Sequence, residues 1–205
     1  MIDIQTYIEE SLFVKNDDKT IATRAEAALE KEAIEKLRKY CYVDDNEEYG
    51  KAWDVFKDGN VKLGPKGYEI TTNSGARGAY MVDPSYIMLC DNIDEKSLDY
   101  KIAKFEGTLI LNSSEAKNLT WLFTPDCEFK GRLVIEWNDY LTSLKGCPKR
   151  VQCFECMNNE KLKSLIGAPQ YCYEFTWKYN GNDKITSEDV KKYLKSHGHV
   201  EINVE

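Results

Sequence analysis

Residues 141–148, with the sequence LTSLKGCP, and residues 162–169, with LKSLIGAP, are two copies of one pattern, Leu-x-Ser-Leu-x-Gly-x-Pro. The second copy follows the first at an offset of 21 residues, and the same offset relates the residues beyond them: Val151 and Cys172, Phe154 and Phe175, Cys156 and Trp177, Asn159 and Asn180. Apolar residues at alternate positions after a Gly-x-Pro turn predict a strand. A turn and a strand repeated at a fixed short period predict a solenoid of stacked coils.

Strand-like apolar patterns recur at similar intervals, both upstream of these two copies and after each of them. Their first residues are Ile87, Leu109, Leu133, Phe154 and Phe175. The spacing of 21 to 24 residues predicts one parallel strand per coil, with strands at 108–112, 132–136, 153–157 and 174–178 stacked in sequence order. Because Asn recurs at one fixed place after the strand, we expect its side chain to satisfy backbone groups of the adjacent coil.

Helical patterns precede the repeats. Residues 3–13 and residues 20–41 place apolar side chains on one face, which predicts two amphipathic helices. The apolar stripe of the longer helix consists of Ala25, Leu29, Ala33, Leu37 and Tyr40/Cys41. The acidic residues 44–48 break this pattern, so we assign residues 1–48 to an N-terminal helical segment.

The stretch between the helices and the repeats is less regular. Residues 53–55 and 61–63 alternate around Asp58-Gly59 and predict a hairpin. A helical turn through Tyr49, Trp53 and Phe56 is the alternative. Residues 68–70 and 87–89 are further strand candidates.

The repeats are followed by a capping pattern. Thr186 and Asp189 resemble a capping box ahead of a short helix that stops near Gly198, and residues 200–204 alternate like a last strand. The predicted fold class is therefore α+β, an irregular β-solenoid over residues 49–205 whose helix and strand at 186–205 cap the end.

Composition limits the function classes. A chain of 205 residues with 42% hydrophobic residues suits one globular domain, or one domain with a small helical attachment. A net charge of −7 argues against binding to nucleic-acid backbones. No apolar run approaches the roughly 18 residues that span a bilayer, and no signal peptide is evident, so no membrane partner is expected. Seven Cys without the tight spacing of a secreted scaffold favour a reducing, cytoplasmic location.

The segment from Val151 to Asn159 fits the Leu-x-x-Leu-x-Leu-x-x-Asn core of leucine-rich repeats. Together with the Leu-x-Ser-Leu-x-Gly-x-Pro linker, it resembles the short repeats of bacterial and tailed-bacteriophage proteins of this class. One extra residue separates each Asn from the next Leu, and aromatics or Cys replace most Leu. The resemblance therefore implies an irregular solenoid with little helix on its convex side.

A second resemblance lies at the N-terminus. Residues 7–13, YIEESLF, are similar to the opening helix of many proteins from large tailed phages. This resemblance implies a viral origin.

Cys153-x-x-Cys156, with His197 and His199 downstream, has the elements of a zinc site. The repeat alignment favours another interpretation, because Cys156 matches inward strand positions whereas Cys153 matches Glu174 and points outward. His-x-His also lacks the spacing of a zinc finger. We expect these Cys to pack as small apolar residues, and we predict no metal and no cofactor.

Catalytic residues are not expected either. A nucleophilic Cys needs a base, and the only two His lie in a polar stretch that favours a solvated turn. The loops at Lys66-Gly67 and at residues 75–78 match no phosphate-binding fingerprint and are explained by hairpin turns. We predict that the chain is not an enzyme.

Strand alternation instead predicts an outward surface with the composition of a binding hot spot. Its residues are Arg132, Val134, Glu136, Trp137, Glu155, Met157, Thr176, Lys178 and Tyr179. For Trp137 and Tyr179, which sit at the edge of the sheet, the competing interpretation is that they roof the core.

These patterns favour a non-catalytic module that binds another protein through its sheet face, with the N-terminal helices capping or docking. A viral origin would make it a virion component or an inhibitor of a host protein in the host cytoplasm. The alternative is an enzyme or small-ligand binder with a site between the helical segment and residues 51–90.

Overall fold

The computed structural model describes residues 18–42, 56, 60–72, 86–90, 92–181, 184–194 and 201–204. Within these ranges the elements are α1 (Asp18–Arg38), β1 (Cys41–Tyr42), β2 (Val61–Gly64), β3 (Gly67–Thr71), β4 (Tyr86–Leu89), β5 (Ile102–Asn112), β6 (Phe123–Glu136), β7 (Cys153–Met157), β8 (Glu174–Lys178), α2 (Ser187–Tyr193) and β9 (Glu201–Val204). The predictions for residues 3–13, 53–55, 75–78, His197 and His199 lie outside the described residues.

The strands from β4 to β9 form one parallel stack in sequence order, which makes a β-solenoid of about five turns. In the register, Leu133 lies opposite Phe154, and Phe154 lies opposite Phe175. The predicted strands at 153–157 and 174–178 match the bounds of β7 and β8. The prediction of a solenoid with one parallel strand per coil is confirmed.

The core lies inside the coils, where equivalent residues of successive strands stack in rows. One row contains Leu109, Leu133, Phe154, Phe175 and Ile202, and the next contains Leu111, Ile135, Cys156, Trp177 and Val204. The rings of Phe154 and Phe175 have centroids 5.1 Å apart. All members from β5 to β8 are buried, so the inward prediction for Phe154, Cys156 and Phe175 is confirmed.

The Gly of the repeated linker is required by the close stacking of the coils. Gly146 and Gly167 adopt φ values of +95° and +88°, in the left-handed region. A Cβ on Gly146 would overlap the backbone at Thr120, and one on Gly167 would overlap the backbone at Lys145. Both the backbone conformation and the space therefore demand Gly.

Strands β5 and β6 begin well before the predicted ranges 108–112 and 132–136. Their first halves extend the same sheet, and the first half of β5 pairs in parallel with β3 as well as with β6. The rings of Phe105 and Phe129 stack there at 4.9 Å. These halves were not predicted.

A hairpin precedes them. Strand β2 confirms the strand at 61–63, and its antiparallel partner is β3, with the turn at Pro65 and Lys66. The predicted turn at Asp58-Gly59, like Tyr49 and Trp53 of the alternative helical turn, lies outside the described residues. The hairpin interpretation of Lys66-Gly67 is confirmed.

Helix α1 covers the first part of the solenoid. Ala33 and Leu37 of the predicted stripe are buried. The Tyr68 hydroxyl donates to the Ala33 carbonyl at 2.9 Å, and the Leu63 amide donates to Glu30 Oε1 at 3.0 Å. The helix ends at Arg38, so the predicted extension to Cys41 is wrong.

The residues after α1 leave the helix because they pair with the sheet. Cys41 and Tyr42 form β1, which is antiparallel to β4. The Cys90 amide also donates to the Tyr40 carbonyl at 3.0 Å.

The C-terminal elements follow the prediction. The Asp189 amide donates to the Thr186 hydroxyl, and the Thr186 amide donates to the Asp189 carboxylate, which is the predicted capping box. Helix α2 ends earlier than predicted, because Leu194 is already extended. Strand β9 then pairs in parallel with β8. In the part of the chain that the structure describes, no helix has the length and apolar character to cross a membrane.

Candidate protein-binding face

The outer face of the sheet carries three rows of side chains that the register aligns across β6, β7 and β8. The rows are Arg132–Cys153–Glu174, Val134–Glu155–Thr176 and Glu136–Met157–Lys178. The structure thus brings seven of the nine predicted surface residues onto one face, and Trp137 and Tyr179 adjoin it at the ends of β6 and β8.

An ion pair organises the centre of this face. The Arg132 guanidinium contacts the Glu155 carboxylate, whose side chain is largely buried whereas that of Arg132 is half exposed. Partial burial shields a pair from solvent and strengthens it. Both side chains are therefore held in one geometry.

Val134 differs from the prediction that it belongs to the accessible surface. It lies on the outer side of β6, but it is only 6% exposed. Its neighbours in register are Ile110 and Glu155, which stand on either side of it. Val134 therefore packs beneath the more exposed side chains of this face and is not part of its accessible surface.

One residue per coil adopts a left-handed conformation directly after the strand. In the last three coils these residues are Trp137, Asn158 and Tyr179, with φ of +56°, +55° and +52°. The backbone stays bonded through the turn, since the Trp137 amide donates to Met157 and the Asn158 amide donates to Lys178. We name these three residues the αL edge.

The two aromatic residues of the αL edge do not roof the core. Trp137 is 56% exposed and Tyr179 is 65% exposed, so the competing interpretation is wrong. A left-handed conformation costs an L-residue about 1–2 kcal/mol, and Asn tolerates it better than most residues. Asn158 shows that this position accepts Asn. Trp137 and Tyr179 therefore carry a backbone cost that Asn at the same positions would reduce.

The residue after the αL edge is an inward Asn, and these Asn form a ladder through the interior. Asn159 Oδ1 accepts from the Asn138 amide at 3.1 Å and from Asn138 Nδ2 at 3.0 Å. Asn159 Nδ2 donates to the carbonyls of Ile135 and Met157 at 3.0 and 2.8 Å. The predicted role of the Asn is confirmed.

The ladder repeats in the next coil. Asn180 Oδ1 accepts from the Asn159 amide at 3.1 Å, and Asn180 Nδ2 donates to the Cys156 carbonyl at 2.8 Å. Each Asn therefore serves backbone groups of the coil before it. This fixes the positions from which Trp137 and Tyr179 project.

The Cys153-x-x-Cys156 motif is split between the two sides of β7. Cys156 is buried in the core row, whereas Cys153 lies on the outer face opposite Glu174. Two thiols on opposite sides of one strand cannot bind the same ion. Among the described residues, no three His, Cys, Asp or Glu side chains form a metal-binding group.

The thiols are also held neutral. Burial, reinforced by Glu174, raises the pKa of Cys153 to about 11, and burial raises the pKa of Cys172 to about 12. A neutral thiol is a poor nucleophile, since the thiolate is the reactive form.

We expect the stability of the protein to fall as the pH rises from 8 to 10. Burial raises the pKa of Cys147 well above its ordinary value of 9.0, so this thiol ionises in the unfolded chain only. Its contribution to stability is fully present below pH 9 and is lost progressively as the pH rises from there toward the raised pKa of the folded state. Cys147→Ala, which copies Ala168 at the equivalent position, should reduce the fall in the free energy of unfolding by about 1 kcal/mol. Urea unfolding of the wild type and of Cys147→Ala at pH 8 and at pH 10 measures the fall in the free energy of unfolding. An equal fall in the two proteins would contradict the prediction.

Sequence reasoning missed a further aromatic beside the αL edge. Tyr140 is 50% exposed, and Lys161 Nζ lies 4.7 Å from the centroid of its ring. The available signal was its position three residues after Trp137 in a polar stretch. Tyr173 and Ile166 are also exposed, away from the αL edge in sequence.

The fold and this face define the chain as a β-solenoid with an exposed, partly aromatic sheet surface. No protein-family model matches the chain, and neither a search of curated proteins nor one of solved structures finds a match.

Proposed function

We propose that the chain is a non-catalytic module that binds another protein through the αL edge and the adjoining outer face. The observation that carries this proposal is the placement of Trp137 and Tyr179. Large aromatic side chains there are exposed and sit in a backbone conformation that disfavours them. Strain of this kind is typical of functional positions, where binding rather than stability determines the residue.

The geometry suits a hot spot for protein recognition. Trp137 and Tyr179 are two coils apart, about 10 Å along the stack. Met157, on the strand between them, and Lys178, directly before Tyr179, lie on the outer face at the ends of their strands. Trp, Tyr and Arg dominate the energetic centres of protein interfaces, and Met is enriched there.

The surface is also preorganised. The αL edge is held by backbone bonds on one side and by the Asn ladder on the other. The Arg132–Glu155 pair fixes two charges on the adjoining outer face. A rigid surface loses little conformational entropy on association, so its contacts contribute to affinity more fully.

The thiols support a non-catalytic function because burial keeps them protonated. We also propose a viral origin, on the resemblance of the Leu-x-Ser-Leu-x-Gly-x-Pro pattern and of residues 7–13 to bacteriophage sequences. In that setting the partner is a host protein that the chain inhibits, or another virion component, and the complex forms in the host cytoplasm.

The double variant Trp137→Asn/Tyr179→Asn tests this function. It converts both aromatic positions of the αL edge to the residue found at 158. The partner is first captured from host lysate on immobilised wild-type protein and identified by mass spectrometry. We expect the double variant to bind that partner at least about thirtyfold more weakly, because loss of a single hot-spot residue already costs about 2 kcal/mol.

The matched control is Tyr173→Asn, which removes an exposed Tyr that precedes β8 rather than following it. It should bind like the wild type. The free energy of unfolding of the double variant should change by less than about 1 kcal/mol per site, because relief of strain offsets lost contacts. If the double variant binds the partner as tightly as the wild type does, the proposed site is wrong.

A further inference from the structure

Strand β9 is the last strand of the sheet. It pairs with β8 on one side, and among the described residues no strand pairs with its other side. The Glu201 amide donates to the Tyr173 carbonyl at 2.9 Å, so it faces β8. Because successive residues of a strand direct their backbone groups to alternate sides, those of Ile202 and Val204 face the open side. An open edge of this kind can pair with another strand.

The two rows of core side chains are less buried where they end at β9. Phe175 and Trp177 are buried, but Ile202 and Val204, the next members of their rows, are only partly buried. A further strand with apolar side chains opposite Ile202 and Val204 would continue both rows. Addition of a strand gives affinity through the backbone and specificity through alternate side chains.

The outer side of the same strand carries unbalanced charge. Glu201 lies opposite Glu174 on the neighbouring strand, and both are exposed. Like charges in this position repel each other. In the described part of the chain, neither carboxylate forms an ion pair with a basic side chain. The sequence of β9, EINV, contains no Lys or Pro, the residues that commonly block pairing at sheet edges.

We propose that the open edge of β9 binds an extended segment of a partner protein as an additional strand. The segment carries a basic residue opposite Glu201 and apolar residues opposite Ile202 and Val204. This site goes beyond the proposed function, since it uses neither Trp137 nor Tyr179.

The probe is the peptide acetyl-Ser-Lys-Val-Thr-Val-Lys-Ser-amide, whose pattern is the same in both chain directions. It therefore fits parallel or antiparallel addition. The control peptide has Glu in place of both Lys. By fluorescence anisotropy, we expect the wild type to bind the Lys peptide about tenfold or more tightly than the Glu peptide, since like charges across an interface oppose binding.

Glu201→Lys should reverse this preference. Glu188→Lys makes the same charge change in the first turn of α2 rather than on β9, and should keep the wild-type preference. An unchanged preference in Glu201→Lys would overturn the proposal. Its failure leaves binding at the αL edge untouched, because that site is tested with different variants and a different ligand.

A backbone variant tests pairing at the open side. Ile202→Pro removes an amide that faces away from β8, and Pro is tolerated in edge strands at such positions. Ile202→Ala loses a similar apolar contact but keeps the amide. We expect Ile202→Pro to bind the Lys peptide about tenfold more weakly than Ile202→Ala does. Equal binding by the two variants would overturn the proposal. So would a wild-type dimer that Ile202→Pro converts to monomer without any binding of the peptide, because β9 would then pair with a second copy.

Discussion

Phe175→Ala should lower the free energy of unfolding by about 3–5 kcal/mol, the range measured when a buried Phe is truncated. Phe175 is fully buried, and its ring contacts that of Phe154 in the preceding coil. Truncation of the ring would leave a cavity between stacked coils. The coils cannot close this cavity without breaking the strand pairing on both sides. Urea unfolding followed by circular dichroism measures the effect.

Thr176→Ala is the matched control for Phe175→Ala. Thr176 lies on the outer side of the same strand, so the change should stay within about 0.5 kcal/mol. Comparable losses in the two variants would mean that the inner and outer sides of β8 are assigned the wrong way round. The proposed binding face would then be part of the core.

Asn159→Ala should be the second most damaging change, at about 2–4 kcal/mol. It removes the acceptor for the Asn138 amide and the donor to the Ile135 carbonyl, both in the buried interior. A buried polar group left unpaired costs about 1–3 kcal/mol, and two backbone groups are affected. The measurement is the same urea unfolding series.

Asn203→Ala is the control for Asn159→Ala, because Asn203 is exposed on β9. It should change the free energy of unfolding by no more than about 0.5 kcal/mol. If Asn159→Ala is as mild as Asn203→Ala, the ladder contributes little to stability and the αL edge is held by other contacts.

The coils that repeat the sequence pattern were predictable down to the strand bounds. For β7 and β8, alternation and a constant offset agree, and Gly and Pro mark the turns. Each of these signals depends on near neighbours in the chain. The buried position of Cys156 followed from the same alignment, since it matches Ile135 and Trp177.

The first halves of β5 and β6 were missed because their environment depends on distant residues. Segments such as KFEG and CEFKG alternate charge with single aromatics and contain Gly107 and Gly131. They become strands because β3, more than thirty residues upstream in sequence, pairs with β5 and because Phe105 stacks on Phe129. Neither contact leaves a local pattern.

The αL edge was only partly predictable. Alternation placed Trp137 and Tyr179 at the edge of the sheet, but aromatic residues carry no signal for a left-handed backbone. Asn158, at the equivalent position of the coil between them, does carry one, because Asn adopts this conformation more readily. The left-handed backbone at Trp137 and Tyr179 can therefore be predicted only by aligning the repeats and recognising that both residues occupy the position of Asn158.

The Asn ladder has a direction, and this bears on how the chain folds during synthesis. Each Asn bonds backbone groups of the coil that precedes it, as Asn180 does for Asn159 and Cys156. A coil emerging from the ribosome therefore keeps unpaired groups until the Asn of the next coil has emerged. At about 5–20 residues per second, one repeat of 21 residues takes roughly 1–4 s. Nascent coils should therefore close one repeat behind the point of synthesis.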